Sequence, residues 1–271
     1  MNRKSEECQT FGHWIRPSKS RTAAACRCIC LPHAGASAAL FARWKELWGD
    51  TMDIRSVQYP GRAGHPFRTD LPVSMTAWVE DIITELIPFL DRPFILFGHS
   101  LGGVLAYELS CSLAERGQSP AALVVSGVVP PHLIPARLRN ISHFSDEKLI
   151  PHINEYGGTP DALLQHPEFI DYFLPLFRQD IGVLESYRFN QRKPLMIPVL
   201  ALAGTDDPFA PRGDVEQWKT YTTASFTAIT LSGNHFFVEN YAAVCVEMRK
   251  WLEGEMDNGT AYVSESRQQL Y

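Results

Sequence analysis

The sequence predicts an α/β fold, in which a mostly parallel central sheet is flanked by helices and interrupted by an all-helical insertion. Short apolar runs rich in β-forming residues alternate with amphipathic helical stretches, which is typical of a parallel sheet wrapped by helices. The alternation stops between residues 130 and 192 and then resumes. A composition of 45% hydrophobic and 20% charged residues is that of an ordinary globular protein.

The elements expected before the insertion alternate regularly. Apolar residues at helical spacing mark the helices, and the continuous apolar run Phe94–Phe97 predicts a central strand that is covered on both faces. In chain order, we expect a strand at Cys26–Leu31, a helix around Phe41–Trp48, a strand at Ile54–Tyr59, a helix at Met75–Leu90, the strand at Phe94–Phe97, a helix at Leu101–Arg116 and a strand at Leu123–Val125.

The insertion, at about 131–192, has helical patterns at Asp146–Tyr156 and Glu168–Leu184 and no convincing strand. An all-helical insertion of this kind is expected to lie over the sheet as a lid. After it we expect strands at Pro198–Ala203 and Phe226–Leu231 and helices at Arg212–Tyr221 and Tyr241–Leu252. The predicted organisation is a polar N-terminal leader (1–22), one α/β domain (23–253) and a polar C-terminal tail (254–271).

The segment Gly98–Gly102 (GHSLG) fits the pattern G-x-S-x-G between an apolar strand and a helix. In that context the pattern forms the nucleophile elbow of an α/β-hydrolase, a sharp turn that exposes the serine at the carboxyl edge of the sheet. The sequence therefore predicts an α/β-hydrolase fold with Ser100 as the nucleophile. The alternative, a glycine-rich turn with a passive N-cap serine, does not explain both glycines.

A serine nucleophile needs a base, and the base needs a carboxylate to hold it. In this fold the three follow in the order Ser, Asp or Glu, His, with the acid after the strand that follows the lid and the histidine after the last strand. His235 follows the last predicted strand and is the expected base. Asp207 is favoured as the acid because it lies three residues after Gly204, and Asp206 remains the alternative, with a possible role in anchoring the turn.

The tetrahedral intermediate of acyl transfer needs two backbone N–H donors. We expect one from Leu101, directly after the nucleophile, and one from Ala34, in the small-residue loop that follows the first strand. His33 is a substitute for the second donor, although packing of its side chain under the loop is at least as compatible with the pattern. His99 flanks the nucleophile and is expected to pack beside the elbow.

Taken together, several short motifs resemble the type II thioesterases associated with nonribosomal peptide and polyketide synthetases. The similarity runs from about Trp14 to Leu252. Two departures from the family pattern are Ala36, where a second glycine is usual, and Ala63–His65, where charged residues are common. The motifs are Leu31–Gly35 (LPHAG), Tyr59–Arg62 (YPGR), Gly98–Gly102 (GHSLG), Gly157–Pro160 (GGTP), Arg178–Asp180 (RQD) and Gly233–Phe236 (GNHF).

The resemblance implies hydrolysis of acyl groups from the phosphopantetheine arm of an acyl or peptidyl carrier protein, without metal or cofactor. It further implies that the lid contributes a channel for the arm, which Phe173 and Phe177 would line, although their helical spacing equally fits the lid's own core. Arg178 and Asp180 are expected to pair with each other within the lid, and the alternative is that Arg178 faces the acidic surface of the carrier protein.

Composition argues against several other classes of protein. A net charge of -5 gives no basic face for nucleic acid. No apolar run is long enough to span a bilayer and no signal peptide is recognised, so we expect a cytoplasmic protein without membrane contact. The oligomeric state stays open, with a monomer as the default. Cys26, Cys28 and Cys30 would share one face of a buried strand, where their spacing does not suit a metal site.

Three other functions remain open at this point. A free-standing esterase or lipase for small esters would have the same elbow, but its family does not share the PHAG and GGTP motifs. A product-releasing, cyclising thioesterase domain would normally follow a carrier domain in the same chain. Here the predicted α/β domain follows Met1 and a short leader, which argues against that function. A non-catalytic hydrolase-fold binding protein is disfavoured because the serine, acid and histidine occur in the required order.

Overall fold

Six parallel strands form the central sheet of the computed structural model, which describes residues 14–16, 23–62, 65 and 74–257. The spatial order is β2-β1-β3-β4-β5-β6, so the chain starts inside the sheet, steps to one edge and then crosses to the other. The strands are β1 (Cys26–Leu31), β2 (Met52–Ser56), β3 (Phe94–His99), β4 (Ala122–Ser126), β5 (Val199–Gly204) and β6 (Phe226–Leu231).

Helices connect the strands, as the alternating pattern predicts. The helix expected at Arg212–Tyr221 is only one α-helical turn, followed by a 3₁₀ segment at Glu216–Tyr221. The α-helices are α1 (Trp44–Trp48), α2 (Met75–Leu86), α3 (Leu101–Glu115), α4 (Asp146–Tyr156), α5 (Asp161–Leu164), α6 (Pro167–Glu185), α7 (Arg212–Val215) and α8 (Tyr241–Asp257).

Side chains that alternate along the strands build a separate hydrophobic layer on each face of the sheet. On β1, Ile29 and Leu31 pack with α2 and α3, whereas Cys28 and Cys30 pack on the opposite face with Phe41 and the tryptophans of α1. Burying one large apolar side chain contributes about 1.5–3 kcal/mol. The two layers together hold the carboxyl ends of the strands in fixed register.

Both ends of the domain extend further than the sequence predicts. Trp14 and Ile15, which belong to the expected polar leader, are buried in the core, and Ile15 forms an antiparallel bridge with Val57. At the other end α8 continues to Asp257, and Glu255 is buried and accepts a hydrogen bond from the Ser225 hydroxyl at 2.6 Å. The remaining parts of the predicted leader and tail lie outside the described residues.

The chain between β4 and β5 forms the lid, which contains α4, α5, α6 and three short 3₁₀ turns but no strand. The lid has a small hydrophobic core of its own, to which Leu149, Ile153, Phe177 and Ile181 contribute. It covers the carboxyl edge of the sheet. Among the helices of the described ranges, none is both long enough and apolar enough to span a membrane.

Candidate active site

The turn between β3 and α3 holds Ser100 in a backbone conformation that side chains rarely adopt, with φ 54° and ψ -119°. Its glycines are required by close backbone contacts. A Cβ on Gly98 would lie 1.9 Å from the carbonyl oxygen of Gly102, and one on Gly102 would lie 2.2 Å from that of Leu31. Strand and helix can therefore approach closely enough to turn the serine outward only because both positions lack side chains.

Ser100, His235 and Asp207 form a continuous hydrogen-bonded chain. The Nε2 atom of His235 lies 3.0 Å from the hydroxyl oxygen of Ser100, and its Nδ1 atom lies 2.9 Å from the Asp207 carboxylate. A carboxylate can only accept at Nδ1, so Nδ1 carries a proton and Nε2 is free to accept one from the serine. His235 and Asp207 are both buried, at 3% and 4% exposure, so the carboxylate is shielded from water.

The two neighbouring aspartates after β5 have different surroundings. The second carboxylate oxygen of Asp207 accepts hydrogen bonds from the backbone amides of Phe209 and Ala210, at 2.9 and 3.1 Å. Asp206 is exposed and accepts only a hydrogen bond from the Thr205 hydroxyl, at 2.8 Å, among its described contacts. The geometry thus brings Asp207 to His235, and it is Asp207, and not Asp206, whose carboxylate accepts the turn amides.

Two further histidines lie beside His235. The His99 ring centroid is 5.2 Å from that of His235, and its Nδ1 atom lies 2.9 Å from the Ser126 hydroxyl. Burial lowers the pKa of His99 well below its usual value and lowers the pKa of His33 to about 4. Both rings are therefore neutral at pH 7, so neither repels a positive charge that forms on His235 during catalysis.

The loop after β1 (residues 32–37), which we call the His33 loop, faces the elbow. The Tyr59 hydroxyl donates to the carbonyl of Pro32 at 2.7 Å, and the Arg62 guanidinium donates to that of Ala36 at 3.1 Å. Within the described part of the chain, the backbone amides of Ala34 and Leu101 donate to no protein acceptor. Both amides are therefore available to a ligand, as the prediction of an oxyanion hole requires.

Two cavities meet at Ser100 and His235 under the lid. The first, of about 310 Å³, extends past Val128 and Ile134 toward Arg139, and we call it the Val128 cavity. The second, of about 370 Å³, runs between the His33 loop and α6, and we call it the Phe173 cavity. Besides Ser100 and His235, both are lined by Tyr156, Ile181 and Leu184.

The aromatic residues of α6 lie where the channel prediction needs them. Phe173 and Phe177 line the Phe173 cavity, and Phe173 is half-buried with its ring stacked on Phe169 at 5.1 Å. Phe177 is also part of the lid's hydrophobic core. Phe177 therefore both lines the cavity and packs in the lid's core, so the structure is compatible with both roles that the sequence left open for it.

The predicted pairing of Arg178 with Asp180 is wrong. Arg178 donates to Asp146 at 2.6 Å and to the carbonyl of Ser142, both within the lid. Asp180 points in the opposite direction, is fully buried, and binds Arg62 of the YPGR motif. Residues two apart in an α-helix lie about 200° apart around its axis and so point to different faces, which is why this pair cannot meet.

One contact beside His235 was not predicted from the sequence. Gly158 of the lid turn packs against the ring of Phe236, where a Cβ would lie 2.2 Å from the ring carbon Cζ. A Cβ on Gly157 would likewise lie 2.9 Å from the side-chain nitrogen of Asn234. The GGTP motif and the GNHF motif are therefore two sides of one contact, and the motif glycines are the only available signal for it.

The arrangement can perform nucleophilic acyl transfer. It combines a partly exposed hydroxyl, a base at hydrogen-bond distance, a buried acid and two unused amides, one at the start of α3 and one in the His33 loop. Among the residues that the structure describes, no group of three or more His, Cys, Asp or Glu side chains is placed to hold a metal ion.

Comparisons with known proteins agree with this site. The family described as Thioesterase domain matches residues 27–252. The thioesterase PikA5 of Streptomyces venezuelae is 35% identical over 244 residues, which cover 89% of this chain and 86% of that protein.

Solved structures give the same result. The thioesterase RedJ from the prodiginine pathway of Streptomyces coelicolor is 34% identical, with a TM-score of 0.77 over 84% of this chain and 91% of that chain. The type II thioesterase YbtT from the yersiniabactin NRPS/PKS pathway is 28% identical, with a TM-score of 0.75 over 88% of this chain and 97% of that chain. The predicted α/β-hydrolase fold is confirmed. The chain belongs to the thioesterase domain family, among the type II thioesterases of nonribosomal peptide and polyketide synthesis.

Proposed function

We propose that this thioesterase hydrolyses acyl groups from the phosphopantetheine arm of a carrier protein and so removes stalled or misprimed chains from a synthetase. The observation that carries the proposal is the hydrogen-bonded chain from Ser100 through His235 to Asp207 at the junction of two cavities. One cavity can receive the acyl group and the other the arm, so the thioester bond would lie at the serine.

In the first half of the reaction, the Ser100 oxygen attacks the thioester carbonyl while Nε2 of His235 takes the hydroxyl proton. The carbonyl oxygen becomes negatively charged and accepts hydrogen bonds from the amides of Ala34 and Leu101. The carbon–sulfur bond then breaks, and His235 gives its proton to the departing thiol. Asp207 keeps the imidazole oriented and stabilises its positive charge.

In the second half, water replaces the thiol. The oxygen of the water attacks the acyl-serine carbonyl while His235 takes a proton from the water. The same two amides hold the new oxyanion. The serine oxygen then leaves and receives the proton from His235. The thiolate that leaves in the first half is a better leaving group than the serine alkoxide that leaves in the second. We therefore expect deacylation to be the slower half. The products are the free acid and the carrier with its free thiol.

The Phe173 cavity is the better candidate for the arm. Its lining includes Tyr172 and Leu163, which are 59% and 40% exposed, so it reaches the outer surface of the lid beside two apolar side chains. A carrier protein must remain outside while its arm reaches Ser100, which requires such an opening. The Val128 cavity then receives the acyl group.

The proposal is tested with one acyl group presented in three ways: on a phosphopantetheinyl carrier protein, on free pantetheine, and as an ethyl ester. We expect the highest kcat/KM for the carrier and the lowest for the ester. The carrier substrate fills both cavities and contacts the lid surface, acyl-pantetheine fills both cavities without that contact, and the ethyl ester has no arm. Folded Ser100→Ala protein is the control and should hydrolyse none of them.

Equal or better turnover of the ester would overturn the proposal in favour of a small-ester esterase. A cyclic product in place of the free acid would favour a product-releasing thioesterase. No turnover of any of the three, with intact fold, would contradict enzymatic function and favour a binding role.

A further inference from the structure

Asp180 is a carboxylate inside the protein that the catalytic chain does not use. It lies on α6, the long lid helix, and its side chain is 0% exposed. Arg62 binds both of its oxygens, one of them at 3.0 Å, and also donates to the carbonyls of Pro60 and Ala36. Burial raises the pKa of Asp180, and the contacts with Arg62 and with the amide of Gly35 oppose that rise.

The hydrogen bond to Gly35 is the one that reaches the catalytic centre. The Gly35 amide donates to the Asp180 carboxylate at 2.8 Å. At the other end of the same peptide group, the carbonyl of Ala34 lies 2.9 Å from Nδ1 of His33, which must donate to it. Because a peptide group is planar, holding both ends fixes its orientation.

The neighbouring peptide carries the N–H of Ala34, the proposed oxyanion donor. With the following peptide fixed, this N–H can change direction only by rotation about the two backbone bonds of Ala34. Gly35 itself has φ +81°, and a Cβ there would lie 2.8 Å from the Phe173 ring, so the loop sits directly under α6. The lid helix therefore holds the loop through one buried carboxylate and the aromatic face beside it.

We propose that Asp180, supported by Arg62, is a positioning residue that holds the His33 loop so that the amide of Ala34 faces the oxyanion. This inference rests on the proposed function. It adds that α6 is part of the catalytic framework as well as a cover over it. The effect should fall on the transition state, where the oxyanion exists, and not on substrate binding.

The test compares Asp180→Asn with Asp146→Asn on an acyl-carrier substrate that the wild type turns over. Asp146 forms another Arg–Asp pair, with Arg178, but it is exposed, and within the described ranges it has no hydrogen bond to the His33 loop. Loss of one oxyanion donor costs about 10²–10³ in kcat. For a displaced donor we expect Asp180→Asn to lower kcat by about 10–100-fold with KM within about threefold, and Asp146→Asn to stay within about twofold of wild type.

Affinity for a boronic acid that forms a tetrahedral adduct with Ser100 should fall by the same factor as kcat. Because Asp180→Asn leaves Arg62 buried without its counter-charge, a second variant, Asp180→Leu with Arg62→Met, removes both charges and restores an apolar environment. It should fold and show the same loss of kcat. Wild-type kcat and boronate affinity in either folded variant would overturn the inference, whereas failure of the wild type to hydrolyse the thioester would instead refute the proposed function.

Discussion

Ser100 and Asn140 are the non-glycine residues with positive φ in the described part of the chain. Such a conformation costs about 1–3 kcal/mol and persists only where the surroundings enforce it. At Ser100 the enforcement is visible: its amide donates to the carbonyl of Ser126 at 2.8 Å, and Gly98 and Gly102 allow the helix to close against the strand. Ser100 could be predicted as the nucleophile from the sequence because the close backbone contacts of this turn require glycine at positions 98 and 102.

The sequence favoured Asp207 over Asp206 without deciding between them, because both follow β5 and differ mainly in the direction of their side chains. The structure places Asp207 against His235, and this assignment can be tested. Asp207→Asn should lower kcat by about 10³–10⁴, because an amide beside Nδ1 favours the wrong tautomer of the base, as known for serine proteases.

Asp206→Asn is the matched control and should change kcat by no more than about twofold, since the residue is exposed. Steady-state kinetics on one thioester decides between the two. A larger loss in Asp206→Asn would assign the acid to the other carboxylate.

His99 gives the fold a predictable response to acid. Its ring faces the Ser126 hydroxyl and the rings of His33, His235 and Phe237, and burial lowers its pKa well below 6.5. Below pH 6.5 the unfolded chain therefore binds a proton that the native protein does not, so the free energy of unfolding falls as pH falls. The contribution is at most about 1.4 kcal/mol for each pH unit.

Urea unfolding at pH 7 and pH 5 measures this response. His99→Gln should lose less stability between the two pH values than the wild type, whereas His143→Gln, at an exposed position, should lose the same amount as the wild type. An unchanged difference in His99→Gln would show that another group causes the acid sensitivity.

At the scale of elements, the bounds of strands and helices were predicted correctly where the local sequence pattern determines them. They were predicted wrongly where charged residues distant in sequence form buried ion pairs. The strand Phe226–Leu231 and the helix Asp146–Tyr156 have the predicted bounds. In contrast, β2 begins at Met52 and not at Ile54, because Asp53 is buried in the strand between the guanidinium groups of Arg27 and Arg55. No local pattern distinguishes such a buried ion pair from a solvated turn.

The same reason explains the wrong pairing within the lid. The partners Arg62 and Asp180 are 118 residues apart in sequence, so only the folded chain brings them together. Nearness in sequence favoured Arg178 as the partner, although two residues along α6 turn the side chains to opposite sides of the helix.

The contact between the lid turn and the His235 segment gives a prediction for two elements together. In Gly158→Ala the new Cβ would overlap the Phe236 ring, whose centroid is 5.4 Å from that of His235. Displacement of the base by a fraction of an ångström should lower kcat by about tenfold. Gly213→Ala, which meets nothing within 4 Å, is the control and should keep wild-type kcat.

Thermal unfolding of both variants separates displacement from loss of fold. Wild-type kcat in a folded Gly158→Ala protein would show that the base does not depend on this contact.

At the scale of the whole molecule, the sheet supplies a rigid edge and the lid supplies the space above it. The placement of Ser100, Asp207 and His235 after β3, β5 and β6 was predictable, since parallel strands end at one edge. The two cavities were not, because their walls combine α4, α6 and loops that are distant in sequence. The family resemblance predicted a thioesterase, and the family match confirms that class of enzyme.

The central claim is that Ser100 carries the acyl group between carrier and water. Intact-mass spectrometry of an acid-quenched mixture of enzyme and acyl-carrier protein tests it most directly, because the masses of both proteins are read at once. We expect the wild type to gain the acyl mass, on a peptide that contains Ser100, while the carrier loses it, and we expect folded Ser100→Ala to leave the carrier acylated. Deacylation of the carrier by Ser100→Ala at the wild-type rate, or an acyl group on another residue, would contradict the account.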